Sequence, residues 1–97
     1  MAQTPEGKVK DKIKKILKAN NVYFAMPMGT GYGNAGVPDF LCCVGGRFVA
    51  VEAKTQGNKT TALQEKNLDE IEECGGHAWV VDELNVHLFE LFVKVTR

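Results

Sequence analysis

Several features that identify large classes of protein are missing from this sequence. No run of apolar residues in its 97 positions is long enough to span a membrane, and the lysine-rich beginning is not followed by the apolar segment of a signal peptide. Positive and negative side chains number 12 each, so the formal net charge is zero. We therefore expect one small domain over residues 1–97, located in the cytoplasm and without a membrane partner.

Cysteine and histidine are too few and too scattered to suggest a disulfide framework or a zinc site. Of the three cysteines, Cys42 and Cys43 are adjacent and Cys74 is distant, a spacing that matches neither kind of site. His77 and His87 are equally isolated, and we interpret them as structural or surface residues. The thiols are expected to lie in the core of a protein from a reducing compartment.

A nucleotide-binding loop is also absent. Residues 29–36 are rich in glycine, but they lack the Gly-Lys-Ser/Thr ending of a phosphate-binding loop and do not lead into a helix. The sequence thus predicts no nucleotide cofactor. A loop of this composition can instead fold over a nucleic-acid backbone, with Tyr32 stacking on a base.

The charges that are present are unevenly distributed along the chain. Six of the lysines lie in residues 1–20, whereas residues 61–90 contain eight acidic side chains and a single lysine. A basic patch attracts the phosphate backbone of a nucleic acid even when the net charge is zero. The lysines can equally be the solvated outer face of a helix, and both interpretations stay open. The candidate DNA contacts are Lys8, Lys12, Lys15 and Lys59.

The most informative stretch is a predicted β-hairpin in the middle of the chain. Gly45-Gly46 separates two apolar runs, and two adjacent glycines are typical of the two-residue turn that joins antiparallel strands. This register places Asp39 directly opposite Glu52, and the alternation of side chains along a strand brings Lys54 to the same face. Opposed carboxylates repel each other unless a cation compensates their charge.

These three polar side chains have two interpretations. Asp39 can merely follow a turn, while Glu52 and Lys54 form a solvated strand end. The strand that carries Glu52 is apolar on both faces, however, which is typical of a covered strand, where a carboxylate is costly without a metal or a partner. We therefore predict a Mg²⁺ or Mn²⁺ site with oxygen ligands from both carboxylates and the backbone carbonyl of Ala53. Lys54 would hold the nucleophile or a phosphate oxygen.

The same residues resemble a known family of nucleases. Asp39 followed by Glu52-x-Lys54 on the next strand resembles the PD-(D/E)XK nuclease superfamily. The residues that flank this pattern make the chain similar to the virus-type replication-repair (VRR-NUC) branch, in its stand-alone phage or bacterial form. They are Gly36-Val37-Pro38 before Asp39 and Thr55…Gln64 after Lys54.

The resemblance implies a function as well as a fold. It implies a compact, metal-dependent endonuclease that hydrolyses phosphodiester bonds in branched DNA, such as four-way Holliday junctions, during replication or repair. The expected location becomes the cytoplasm of a bacterial or phage-infected cell. Two alternatives remain, namely a non-catalytic nucleic-acid-binding module that keeps the nuclease fold and a structural subunit of a larger assembly. Metal binding distinguishes the enzyme from both.

The resemblance also implies roles for two residues outside the hairpin. Glu6 falls on the buried stripe of the first predicted helix, and the family's N-terminal-helix glutamate contributes to the metal site. Gln64 falls near the start of the second predicted helix, where a glutamine of related nucleases orients phosphate or water. Each has a local alternative, because a first-turn glutamate complements the helix dipole and a first-turn glutamine is unremarkable. The sequence excludes neither alternative.

Capping signals and periodicity predict the remaining elements. Thr4-Pro5 begins a helix with apolar residues at helical spacing, and Thr60 or Thr61 begins a second helix. With a short strand before the glycine-rich loop and another at residues 77–81, the order is helix, strand, hairpin, helix, strand, helix. We expect an α/β fold with a mixed sheet of about four strands flanked by helices, the restriction-endonuclease-like PD-(D/E)XK core.

The final segment, from Asp82 to Val95, is predicted to be a helix, although its alternating apolar residues also allow a terminal strand. As a helix it has two apolar stripes, and a small domain covers only one of them. The first stripe, expected to face the sheet, consists of Leu84, Leu88, Leu91, Phe92 and Val95. The second stripe, predicted to form the interface of a symmetric homodimer, consists of Val86, Phe89 and Val93.

Overall fold

The computed structural model describes residues 3–28 and 35–97 of the chain. In chain order the elements are helix α1 (Pro5–Ala19), strands β1 (Tyr23–Ala25), β2 (Phe40–Val44) and β3 (Arg47–Ala53), helix α2 (Ala62–Glu73), strand β4 (His77–Val81) and helix α3 (Val86–Thr96). This order confirms the predicted one, and the final segment is a helix rather than a strand. Within the described ranges, no helix is both long and apolar enough to cross a membrane.

The four strands form one mixed sheet in the order β1-β2-β3-β4. Strand β2 pairs antiparallel with both β1 and β3, whereas β4 runs parallel to β3 after the crossover through α2. Strand β3 is therefore central, and every residue from Val49 to Ala53 is buried. The predicted α/β fold with a mixed sheet of four strands flanked by helices is confirmed.

Helix α1 begins at the predicted cap. The hydroxyl of Thr4 accepts a hydrogen bond from the Gly7 amide at 3.0 Å, and Pro5 occupies the first helical position. Asn20 caps the C-terminus of the helix, and its side-chain amide donates to the Ile16 carbonyl at 2.8 Å. Its buried stripe consists of Val9, Ile13, Ile16 and Leu17.

The β2–β3 turn has the geometry that its two glycines predict. Gly45 and Gly46 have φ angles of +56° and +81°, as a type I′ turn requires. The register that follows places Phe40 opposite Val51. Gly45 is also constrained by its surroundings, because a Cβ at this position would overlap the carbonyl oxygen of Thr96 at the end of α3. The turn therefore carries both a backbone constraint and a packing constraint.

Helices cover both faces of the sheet. On one face, α1 and α3 pack over the core, and Trp79 of β4 contacts Phe89 of α3 with ring centroids 5.5 Å apart. On the other face, Phe48 of β3 and Ile71 of α2 both border Gly76. This three-layer arrangement explains why β3 is buried on both sides.

Helix α3 begins later than predicted. Asp82 and the three residues after it form a turn, in which Asp82 Oδ1 accepts hydrogen bonds from the amides of Leu84 at 2.8 Å and Asn85 at 3.1 Å. The side chain of Asn85 accepts from the Asp82 amide and donates to the Val80 carbonyl, both at 2.8 Å. Because these side chains satisfy the local backbone groups, the helix starts only at Val86.

The face of α3 predicted to be a dimer interface is buried in the chain's own core. Phe89 and Val93 are 0% exposed and Val86 is half-buried, so the assignment of these three residues to an intermolecular surface is wrong. Phe89 packs on Trp79, and its ring fills the space between helix and sheet. The opposite stripe was expected to face the sheet, and only its Phe92 does so, with its ring centroid 5.2 Å from that of Trp79. The expectation is wrong for Leu84, just before α3, and for Leu88, Leu91 and Val95, which are between 50% and 74% exposed.

One of the three cysteines is a core thiol. Cys42 is buried, and burial raises the pKa of its thiol to about 12. Cys43 and Cys74 are exposed, so the prediction of a core position is wrong for these two. The exposure of Cys43 follows from the alternation of side chains along β2, because its neighbour Cys42 faces the core.

Candidate active site

The two carboxylates predicted to oppose each other do so at the open end of the β2–β3 hairpin. Asp39 precedes β2, and its backbone amide donates a hydrogen bond to Glu52 Oε1 at 3.2 Å. In return, Asp39 Oδ2 accepts a hydrogen bond from the Ala53 amide at 2.9 Å. Each carboxylate is therefore held by the backbone of the opposite side of the hairpin.

The environment of Glu52 disfavours its negative charge. Only 3% of the residue is exposed. The pKa of its carboxyl is raised from the ordinary 4.5 to about 7, first by burial and then by the negative charge of Asp39. Lys54 and the hydrogen bond from the Asp39 amide act in the opposite direction, and Glu6 adds a small upward contribution. A carboxylate in this position favours the approach of a further cation.

Lys54 lies beside Glu52 on the same strand. Its Nζ is 3.6 Å from Glu52 Oε2, and its side chain is only 13% exposed. The backbone amide of Lys54 donates to the Val81 carbonyl at 2.9 Å, which continues the parallel pairing of β3 with β4. The structure thus brings Asp39, Glu52 and Lys54 together, as the hairpin register predicts.

Lys10 connects helix α1 to this cluster. Its Nζ lies 3.5 Å from Asp39 Oδ1 and 3.7 Å from Glu6 Oε2. Glu6 therefore reaches the cluster through Lys10, and its side chain is 40% exposed. Lys10 was not predicted as a site residue, because in the sequence it is one of six lysines among the first twenty residues. The available signal was the four-residue spacing from Glu6, which places the two side chains on one helical face.

Gln64 occupies a helix cap. Its Oε1 accepts a hydrogen bond from the Thr61 amide at 2.9 Å, and its own amide donates to the Thr61 hydroxyl at 3.2 Å. This reciprocal pair is a capping box, which supports the local interpretation of Gln64. A contact with phosphate would use the side-chain nitrogen Nε2, because phosphate oxygens accept hydrogen bonds and only the NH₂ group of glutamine donates them.

The segment that leads into Asp39 is attached to the first turns of α2. Gly36 has a φ of +79°, and a Cβ there would lie within 2.9 Å of backbone atoms of Leu63 and Gln64. The side-chain amide of Asn67 donates to the carbonyls of Ala35 and Leu63, both at 2.9 Å. Gly36 therefore permits a close approach, and Asn67 fixes it. This role of Asn67 was not predicted from the sequence, because its partner Ala35 is 32 residues away.

The predicted DNA-contacting lysines face solvent. Lys8, Lys12 and Lys15 are exposed, and their spacings of four and three residues place them on one side of α1. Lys59 is exposed in the loop between β3 and α2. Tyr32 lies outside the described residues. The role of all five in DNA binding stays a prediction.

The donor set at the open end of the hairpin suits a hard divalent cation. Mg²⁺ is commonly bound through one or two carboxylates, together with water and substrate oxygens. Asp39 and Glu52 provide two carboxylates, and both attract ammonium groups, from Lys10 and Lys54 respectively. These ammonium groups mark positions where positive charge is favoured. The residues present therefore fit Mg²⁺ or Mn²⁺.

The other predicted ligands are less closely associated. Within residues 3–28 and 35–97, no three His, Cys, Asp or Glu side chains form a metal-binding group, so Glu6 does not complete a triad with the two carboxylates. Ala53 lies between Glu52 and Lys54, with its amide bonded to Asp39. The use of its carbonyl as a ligand stays a prediction.

Comparison with known proteins identifies the fold. No protein-family model and no curated protein matches the sequence. A solved structure named "VRR_NUC domain protein" superposes on this one with a TM-score of 0.67, over 90% of this chain and 88% of its own. The chain has a VRR-NUC fold. At 13% sequence identity, the likeness extends to the fold and not to the activity.

The VRR-NUC fold agrees with the resemblance inferred from the sequence. The two observations concern different features of the chain, because the resemblance rests on a few side chains whereas the superposition rests on the path of the backbone. In this fold Asp39 and Glu52 lie at adjoining ends of neighbouring strands, with Lys54 next to them. The three side chains that the sequence predicts to lie together are therefore close together in a chain with the VRR-NUC fold.

Proposed function

We propose that this protein is a metal-dependent DNA endonuclease, of the stand-alone VRR-NUC type, that hydrolyses phosphodiester bonds. The observation that carries the proposal is the pair of opposed carboxylates, Asp39 and Glu52, with Lys54 at 3.6 Å from Glu52. A buried carboxylate with a pKa near 7 is a costly feature in a small domain, and such features concentrate at functional sites. The VRR-NUC fold supports the same interpretation.

Asp39 and Glu52 would hold a Mg²⁺ or Mn²⁺ ion through their carboxylate oxygens. When bound, such an ion stabilises negative charge on the scissile phosphate and lowers the pKa of water. Lys54 donates hydrogen bonds from its ammonium to the attacking water or to a phosphate oxygen as negative charge develops there. In the reaction water adds to phosphorus and one P–O ester bond breaks, which yields a hydroxyl and a phosphate monoester.

Cleavage of a panel of synthetic DNAs tests this proposal. The panel contains a four-way junction, a flap, a nicked duplex, an intact duplex and a single strand, each with Mg²⁺ or Mn²⁺. We expect Lys54→Ala and Glu52→Gln to lower the cleavage rate by about 100-fold or more, because each removes a group that acts on the reacting atoms. DNA binding should persist. Lys18→Ala, which changes an exposed lysine of α1, is the control.

Two outcomes argue against the assignment. Near-wild-type cleavage by either folded variant would show that the site lies elsewhere. A wild-type protein that binds the DNAs but cleaves none of them with either metal would favour the alternative of a non-catalytic nucleic-acid-binding module with the same fold.

We further propose that the active form is a symmetric homodimer that acts on branched DNA, such as four-way junctions, in replication or repair. The support is the uncovered apolar stripe of α3, because contiguous apolar surface of this kind commonly marks an interface. A two-fold axis through such an interface gives two active sites in a fixed relation, which suits two symmetry-related DNA strands.

Neighbouring residues of α3 provide a matched test of the dimer. Leu88 is 50% exposed, so Leu88→Glu is expected to give folded monomers that lose junction cleavage before duplex cleavage. Phe89 is 0% exposed, so Phe89→Glu is expected to prevent folding instead. Light scattering at micromolar concentration and circular dichroism measure the two effects. A monomeric wild-type protein, or a dimeric Leu88→Glu variant, would contradict the proposed interface.

A further inference from the structure

Lys10 differs from the neighbouring lysines of α1 in what its ammonium contacts. Its Nζ lies 3.5 Å from Asp39 Oδ1 and 3.7 Å from Glu6 Oε2, and its side chain is 33% exposed. Lys8 and Lys12, two residues to either side, are exposed to solvent. Lys10 is therefore paired with a carboxylate of the proposed metal site while part of its side chain still reaches solvent.

A divalent cation and the Lys10 ammonium compete for the same oxygen. Asp39 Oδ2 accepts the hydrogen bond of the Ala53 amide, which leaves Oδ1 as the more available oxygen for a cation, and Lys10 lies next to Oδ1. Two positive charges at such short distances repel each other. The metal thus binds tightly only when the ammonium moves away. A lysine has the flexible four-carbon stem that this movement requires.

We propose that Lys10 is an exchangeable counter-ion of the metal site, which leaves Asp39 for a DNA phosphate when the metal binds. The inference rests on the proposed nuclease function and extends it. DNA bound at the proposed site brings a phosphate next to the carboxylate that the ammonium contacts, and so it offers the ammonium a new partner. Each ligand then removes an obstacle to the other. Metal and DNA therefore bind cooperatively, and the coupling is reciprocal.

Metal titration without DNA tests the first half of this inference. Free Mn²⁺ is measured by electron paramagnetic resonance, and thermal denaturation provides a second readout. Lys10→Met removes the charge but keeps the length of the side chain, and we expect it to bind Mn²⁺ about fivefold more tightly than the wild type, as loss of partly exposed ion pairs predicts. Lys10→Arg keeps the charge and should bind Mn²⁺ as the wild type does.

A control lysine is available one turn further along the same helix. Lys14 forms no ion pair among the residues that the structure describes, so Lys14→Met should leave Mn²⁺ affinity unchanged. Equal Mn²⁺ affinities of Lys10→Met and wild type would overturn the role of Lys10. A wild-type protein that takes up no Mn²⁺ would overturn the proposed nuclease function itself, and the inference with it.

DNA binding tests the second half. Affinity for a four-way junction is measured with and without Ca²⁺, a divalent ion that we expect to bind but to support little hydrolysis. We expect Ca²⁺ to increase the affinity of the wild type for the junction. The factor of this increase should be about fivefold smaller for Lys10→Met. Equal enhancement in the two proteins would overturn the exchange of the ammonium between Asp39 and phosphate.

Discussion

The two ends of the β2–β3 hairpin differ in what they contribute to the molecule. At the turn, Gly45 and Gly46 adopt the backbone angles of a type I′ turn, and Gly45 fits closely under the end of α3. At the open end, Asp39 and Glu52 bring two negative charges together, and the pKa of Glu52 rises to about 7. One end stabilises the fold by its fit, and the other opposes folding.

This contrast shows how a small domain can hold an unfavourable site. The tight turn fixes which residues of β2 and β3 face each other. A slip of one residue would turn Glu52 to the other face of the sheet and away from Asp39. The turn therefore determines the geometry of the two carboxylates at the open end. Within the described residues, no side-chain hydrogen bond or ion pair joins the two ends of the hairpin.

The turn offers the largest effect on stability. We expect Gly45→Ala to lower the free energy of unfolding by about 3 kcal/mol, because alanine is strained at a φ of +56° and its Cβ overlaps the Thr96 carbonyl. Gly46→Ala has the same backbone strain but no atom within 4 Å of the added Cβ, so about 1 kcal/mol is expected. Urea denaturation measures both values. Equal losses would show that packing against α3 is unimportant.

The open end offers a smaller, pH-dependent effect. Because the folded state raises the pKa of Glu52 above the ordinary 4.5, it binds the proton more tightly than the unfolded chain does. The stabilisation by protonated Glu52 is complete below pH 4.5 and is lost as the pH rises through about 7. Glu52→Gln keeps an acceptor for the Asp39 amide and does not titrate. Without metal, we expect the free energy of unfolding of this variant to rise relative to that of the wild type as the pH increases. The increase from pH 4.5 to about pH 7 should amount to about 2 kcal/mol.

The control for this pH series is Glu72→Gln, which changes an exposed acid of α2. Its free energy of unfolding should stay close to that of the wild type. Urea denaturation in a chelating buffer at several pH values provides the comparison. A stability difference between Glu52→Gln and wild type that is constant with pH would mean that the carboxyl titrates normally in the folded state.

The hairpin is the part of the site that the sequence predicts best. A two-residue glycine turn allows a single register, and that register places Asp39, Glu52 and Lys54 on one face without knowledge of the rest of the fold. The order of elements is similarly predictable, because capping residues and glycines mark the ends of α1 and α2. Local rules were sufficient in these places.

The errors lie where the sequence offers two equivalent choices or where distant segments meet. Both stripes of α3 are apolar, and periodicity does not tell which one is buried. In the structure Trp79 contacts one residue of each, Phe89 and Phe92. Lys10 reaches Asp39 only because α1 lies near the start of β2, which no local pattern shows. The capping role of Gln64, in contrast, was visible in the Thr61-x-x-Gln64 spacing.

Diffraction from crystals soaked in Mn²⁺ tests the central claim most directly, namely that the opposed carboxylates form a metal site. Data collected near the manganese absorption edge locate the ion independently of any activity. We expect an anomalous peak in contact with the carboxylates of Asp39 and Glu52, and no such peak in crystals of Glu52→Gln. A wild-type crystal without a peak at this pair, or with manganese bound only elsewhere, would contradict the account.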